Sequence, residues 1–202
     1  MDDSTDGVIK YDCRFTLSAD IGLDQIKQLN DFRGMALAEG WIGVGSDGIG
    51  FGNISVRTSI RSFLISGSQT GHIAVLGVDG YSQVTDWNID GNRIECQGLC
   101  KASSESMSHA AIYEEDKAIG AVIHIHSKEL WDSWTNILTR TECQIPYGTP
   151  QMARNLQRCM HESHMVGGGV LCMGGHMDGI IAWGDSLSEA WKYLKHIRSN
   201  PA

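Results

Sequence analysis

The run Ala121-Val122-Ile123-His124-Ile125-His126-Ser127 constrains this chain more than any other segment. It is short, apolar and β-branched, and it reads as a strand. On a strand, residues two apart face the same way, about 6.6–7 Å apart along the chain. Val122, His124 and His126 therefore share one face, while Ile123 and Ile125 pack on the other. Two imidazoles so placed can converge on one ion at Zn–N distances of about 2.0–2.1 Å. From the spacing alone, two histidines on a partly exposed edge is the alternative. A metal needs a third ligand, and His176 is the candidate. It lies in the turn Gly174-Gly175-His176-Met177-Asp178-Gly179 between two apolar stretches, and sites are built on loops at strand ends. His161 and His164 fall in a polar helix end, and His72 and His196 read as surface. His109, on an apolar-rich helix, reads as a core histidine.

Around that strand, at residues 118–126, helices and strands alternate. Residues 104–115 read as a helix with Met107, Ala110 and Ala111 on one side. Residues 128–138 and 149–161 read as helices, the second with Pro150 in its favoured first turn. Residues 170–173 and 179–183 read as strands. Residues 186–197 form the last helix, with Ser186 and Glu189 spaced as a capping box. Earlier in the chain, residues 8–17 read as a strand. Leu23, Ile26, Leu29, Phe32, Met35 and Ala36 recur at helical spacing over 19–39, and Gly40 ends that helix. Residues 49–98 are β-rich, with short stretches at 53–56, 62–66, 73–78 and 82–85, then a turn at Asp90-Gly91-Asn92 leading into 93–97. Strands first and alternation afterwards predict one sheet with helices on both faces. No linker or repeat divides the sequence, so residues 1–202 are expected to form a single domain with residues 1–7 frayed.

Charge and cysteine usage narrow the function classes. Sixteen Lys and Arg against 24 Asp and Glu give a formal net charge of -8. Nucleic acid is therefore not an expected partner, because that requires a basic face. No apolar run approaches the roughly 20 residues that span a bilayer, so no membrane partner is expected either. The acidic start of the chain is the reverse of a secretory signal. The six cysteines contain no C-x-x-C pair and read as reduced thiols. The expectation is a cytoplasmic protein whose metal is held by histidine rather than cysteine.

Two further regions carry polar chemistry. Lys101-Ala102-Ser103-Ser104-Glu105-Ser106 places two hydroxyls, free amides and a carboxylate at a helix start. That is either an anion site or a simple N-cap, with Ser103 or Ser104 as the cap. Gly52-Asn53-Ile54-Ser55 and Ser66-Gly67-Ser68-Gln69-Thr70-Gly71 are glycine turns. The second suits a phosphate nest, but it is not a Walker motif, since no Gly-Lys-Ser/Thr follows.

Taken in order, Gly52-Asn53-Ile54-Ser55-Val56-Arg57, Ile65-Ser66-Gly67, Ser103-Ser104-Glu105, the His124/His126 strand, Pro146-Tyr147-Gly148-Thr149, and His176 with Gly179 resemble the class II aldolase/adducin family over about residues 25–198. That family includes fuculose-phosphate aldolase, ribulose-phosphate 4-epimerase and methylthioribulose-phosphate dehydratase. The resemblance implies an α/β fold, a three-layer α/β/α domain around a mostly antiparallel, mixed sheet. It implies His124, His126 and His176 as ligands of a divalent ion, usually Zn2+, with Mn2+ or Co2+ as alternatives. Glu105 would be the catalytic acid/base, and Asn53, Ser66, Gly67, Ser103 and Ser104 would hold the substrate's phosphate. The implied function is a metal-dependent aldehyde-lyase acting on a small ketose phosphate through a metal-stabilised enediolate, in a homotetramer with sites at subunit interfaces. Epimerisation or dehydration on the same site is an alternative, as is cleavage or decarboxylation of a non-phosphorylated keto acid. A non-catalytic adducin-like module is disfavoured by the retained histidines and glutamate. Ala102 stands where the family often has proline, and Gly-Gly-His-Met-Asp-Gly stands where many members have Asn-His-Gly. The segment between Ser127 and Pro146 is short, with no match for the tyrosine proton donor that a neighbouring subunit supplies in the aldolase.

Overall fold

A computed structural model of the chain describes residues 7–21, 24–165 and 167–200. The elements run β1 (Asp12–Leu17), α1 (Asp24–Ala38), β2 (Gly43–Val44), β3 (Gly50–Phe51), β4 (Asn53–Ser59), β5 (Ser62–Ser66), β6 (Tyr81–Asn88), β7 (Arg93–Gly98), α2 (Ser106–Glu115), β8 (Ala121–His126), α3 (Lys128–Trp134), α4 (Pro150–Glu162), β9 (Gly169–Cys172), β10 (Gly179–Gly184) and α5 (Leu187–Ser199). Eight strands form one sheet in the order β1-β7-β6-β5-β4-β8-β10-β9, and β2 with β3 makes a small separate hairpin. Strand β1 runs parallel to β7, and the other neighbours are antiparallel. The sheet is mixed, as expected.

Helices cover both faces. On one side Met107, Ala110 and Ala111 of α2 and Met152 and Leu156 of α4 share a core with Phe63, Ile65, Val122 and Ile181. On the other, Leu29 and Ala36 of α1 and Ala190 and Leu194 of α5 share a core with Ile54, Leu64, Ile123 and Ile125. The alternation inside β8 decides the sides, because Val122 belongs to the first core and Ile123 to the second. Each such aliphatic side chain, fully buried, stabilises by about 1.5–3 kcal/mol. In α2 every residue from Ser106 to Tyr113 is buried, so the helix lies inside the molecule and carries no polar stripe.

Several boundaries differ from the sequence expectation. Residues 73–78 form no strand. Side chains of α1 satisfy that segment instead: Asn30 pairs with both backbone groups of Leu76, and Arg33 donates to the carbonyls of Thr70 and Ile73. Strand β1 starts at Asp12 rather than residue 8, because residues 8–11 leave the sheet and Tyr11 donates its phenol proton to the Ser103 carbonyl at 2.8 Å. Helix α1 is described from Asp24, with Leu23 outside the described residues, and α3 stops at Trp134. The Ser186 hydroxyl accepts from the Glu189 amide, but the Glu189 carboxylate accepts from Asp185, one residue out of capping-box register. Residues 1–6, expected to be frayed, lie outside the described residues, while Gly7 is described. The six cysteines are free thiols. Among the described residues no helix is long and apolar enough to cross a membrane.

Candidate active site

Strand β8 lies between β4 and β10, away from either sheet edge. His124 is fully buried and faces Asn53 across the β4 ladder, while His126 faces Gly179 across the β10 ladder. The loop from β9 to β10 brings in His176. That loop packs so tightly on residues 141–145 that a Cβ on Gly174 would lie 2.0 Å from the Thr141 carbonyl oxygen, and one on Gly175 only 1.6 Å from that of Ile145. Only glycine permits the approach. The rings of His124 and His126 are 5.0 Å apart between centroids, as are those of His124 and His176, and His126 and His176 are 4.5 Å apart.

One ligand nitrogen from each histidine lies within 4.8 Å of the others. The Nε2 atoms of His124 and His126 are 3.2 Å apart, close to the roughly 3.3 Å between two nitrogens on one tetrahedral ion with bonds of about 2.0–2.1 Å. The Nδ1 of His124 donates to the Ile180 carbonyl at 3.2 Å. That partner turns the Nε2 lone pair toward the other two rings. Burial, then the neighbouring His126 and His176, hold the His124 pKa well below the usual histidine value. The neutral imidazole is the form that binds metal, so the donor set fits a divalent ion.

The Ser103-Ser104-Glu105 segment enters beside this cluster. The N-cap of α2 is Glu105 rather than either serine, and the Ser103 hydroxyl accepts from the Glu105 amide at 3.3 Å. Glu105 is 3% exposed. Its Oε2 accepts from the Ser108 hydroxyl at 3.0 Å, and its Oε1 lies 3.7 Å from His176 Nδ1. An antiparallel bridge between Gly67 and Ala102 brings the glycine turn alongside. The three histidines, Glu105, Ser103, Ser104, Asn53 and Gly67 all line one pocket. Ser66 is not on its wall. It is buried, and its hydroxyl accepts from the Ile54 amide at 3.4 Å, tying the turn to β4. Among the described residues, no lysine or arginine lines this pocket.

The structure adds walls that spacing did not assign. The Phe51 ring stands 5.4 Å from His126, and Tyr147 stacks on His176 at 4.3 Å. Gln69, Gly71 and Gly7 also line the cavity. The glycines flanking Phe51 were the available signal, since Gly52 has φ +73° and lets the hairpin fold the ring inward. His109 is a core histidine as read. It is fully buried, within 2.7 Å of the Ser55 hydroxyl, and burial pushes its pKa down to about 3. His72, His161, His164 and His196 are exposed.

The sequence model of the Class II Aldolase and Adducin N-terminal domain matches residues 44–199. The chain belongs to the class II aldolase and adducin family. The matched span holds every cavity residue named above except Gly7. Solved structures with the class II aldolase fold superimpose on most of the chain. An L-fuculose 1-phosphate aldolase does so with a TM-score of 0.67 at 19% identity, covering 90% of this chain and 85% of that one. YgbL from Klebsiella pneumoniae, a candidate aldolase, epimerase or decarboxylase, gives 0.64 at 20% identity, with coverages of 87% and 86%. L-fuculose 1-phosphate aldolase from Glaciozyma antarctica PI12 gives 0.57 at 15%, with 86% and 69%. At these identities the likeness is one of fold. No curated protein sequence matches the chain.

Proposed function

We propose that this class II aldolase family member is a divalent-metal-dependent lyase, with Zn2+ as its ion, that cleaves a small ketose phosphate. The observation that carries the reading is the convergence of three imidazoles within 4.8 Å, beside a buried carboxylate and inside one cavity. His124, His126 and His176 would hold the ion, which when bound supplies Lewis-acid stabilisation of negative charge developing on a substrate carbonyl oxygen. Three nitrogen donors favour zinc, with Co2+ and Mn2+ as substitutes.

The protein's own groups divide the remaining work. The Ser108 hydroxyl fixes one oxygen of Glu105, and the other, Oε1, faces His176. Oε1 is the atom that moves a proton between substrate carbon and carboxylate. Ser103 and Ser104 stand at the positive end of α2, and with Asn53 and Gly67 they offer hydroxyls and amides to a phosphate. Ser66 acts one layer back, by holding that turn against β4. Phe51 and Tyr147 cover two of the imidazoles and keep bulk water off them.

The test is metal analysis of the purified protein, followed by aldol-cleavage assays on ketose 1-phosphates, their unphosphorylated counterparts and short keto acids, with added Zn2+, Co2+ or Mn2+. Metal-dependent cleavage of the phosphorylated ketoses alone is expected. Preference for a keto acid would move the substrate assignment, and a protein that takes up no divalent ion would overturn the metal-dependent reading.

A further inference from the structure

The Tyr147 ring has two close neighbours. The Lys10 ammonium stands 3.5 Å from the centre of its ring and donates to the Tyr147 carbonyl at 3.2 Å. The His176 ring stacks on it with centroids 4.3 Å apart and planes 22° from parallel. Both contacts are made to the ring itself, so Tyr147 links the Lys10 ammonium to the His176 imidazole. Tyr147 is 4% exposed and His176 6%, so neither ring has room to swing.

The three histidines are not held alike. His124 and His126 are carried by β8, which is paired on both sides. His176 is on a loop. Hydrogen bonds from its amide to Met173 and from Gly179 to its carbonyl fix its backbone, while its ring is set by Glu105, whose Oε1 lies 3.7 Å from Nδ1, together with what packs on its face. Tyr147 supplies such a surface, and Lys10 contacts the same ring. The segment carrying Lys10 is pinned on both sides: Asn92 donates to the Lys10 carbonyl at 3.0 Å, and Tyr11 donates to the Ser103 carbonyl. Lys10 lies outside the stretch that matches the family, 44–199.

We propose that Lys10 and Tyr147 are positioning residues for the metal centre, a clamp that sets the His176 ring, so that the segment ahead of β1 is a working part of the site. This rests on the reading of His176 as a ligand. The cation holds the electron-rich ring by a cation–π contact, and the ring holds the imidazole, as outer partners of metal-bound histidines commonly do.

The test is the zinc dissociation constant, measured by competition with a chromogenic chelator, together with the visible spectrum of the cobalt-substituted protein. Far-UV circular dichroism confirms folding. Tyr147→Ala is expected to bind zinc about 10–100-fold more weakly and to alter the cobalt spectrum. Tyr147→Phe, which keeps the ring face, should retain most of the affinity that Tyr147→Ala loses. Lys10→Met should lose about three- to tenfold, with Lys10→Arg restoring it. A folded Tyr147→Ala protein with unaltered zinc affinity and cobalt spectrum overturns the clamp and leaves the metal site standing. So does a Tyr147→Phe protein that loses as much as Tyr147→Ala, because the ring face would then not be the determinant. Should Tyr147→Ala fail to fold, Lys10→Met and Tyr147→Phe decide the matter on the same readouts. Failure of the unaltered chain to bind zinc is a different result, and it overturns the proposed function itself.

Discussion

His124 and Glu105 sit in one cavity, yet their removal should leave different proteins. On the proposed metal reading, His124→Ala deletes one of the three imidazoles, the one buried on the rigid strand, so metal content by atomic absorption should fall from one ion per chain to a trace. Glu105→Gln keeps shape and removes the base. It should retain its zinc and lose about 10²–10⁴-fold in turnover. Ser103→Ala and Ser104→Ala remove neither an imidazole nor the carboxylate. Each should weaken a phosphorylated inhibitor by about 1.5–3 kcal/mol, roughly ten- to a hundredfold, in isothermal titration, with metal content unchanged. His109 gives a pH dependence whose sign follows from burial. Its pKa is about 3 in the folded chain, against about 6.5 when unfolded. Between those values the unfolded chain binds the proton and the folded one does not. Stability from this group is therefore complete above about pH 6.5 and declines as the pH falls toward 3. Urea midpoints at pH 7 and pH 5 should show that decline, and His109→Gln should make it shallower.

The loop from β9 to β10 shows how one element can be essential without a pattern that announces it. Gly175→Ala places a Cβ against the Ile145 carbonyl oxygen, which cannot yield as a flexible side chain would. The loop must shift and carry His176 with it, so zinc affinity should fall sharply while β9 and β10 stay paired in circular dichroism. The sheet and its two cores were legible because alternation in β8, helical spacing in α1 and the Ser186 cap of α5 are local signals. That His124 and His126 share one face of the sheet was legible for the same reason. Residues 73–78 were misread because their β-branched residues look like a strand, while Asn30 and Arg33, some 40 residues away, satisfy the backbone that a ladder would have used. Lys10 and Tyr11 reach the site across more than 90 residues of chain, a distance at which no periodicity operates.

At the scale of the molecule, part of the surface remains apolar. Ile73 and Val75 on the segment held by α1 are exposed, and so is Met177 beside the third histidine. Together with family membership, this predicts a homotetramer. Multi-angle light scattering at micromolar concentration should give about four times the chain mass, and a fully active monomer would contradict it.

A cavity without a lysine or arginine on its wall, in a chain of net charge -8, has a kinetic consequence. On the proposed reading, an incoming phosphate ester meets net repulsion from the molecule, formally -6 with a divalent ion bound (-8 + 2), before it reaches the start of α2. That field reaches about 10 Å at 0.1 M salt and further in dilute buffer. Entry should therefore quicken as ionic strength rises, the opposite of a ligand steered by a basic funnel. Once seated among short hydrogen bonds in a buried cradle, the anion is shielded from the same salt, so its departure should hardly change.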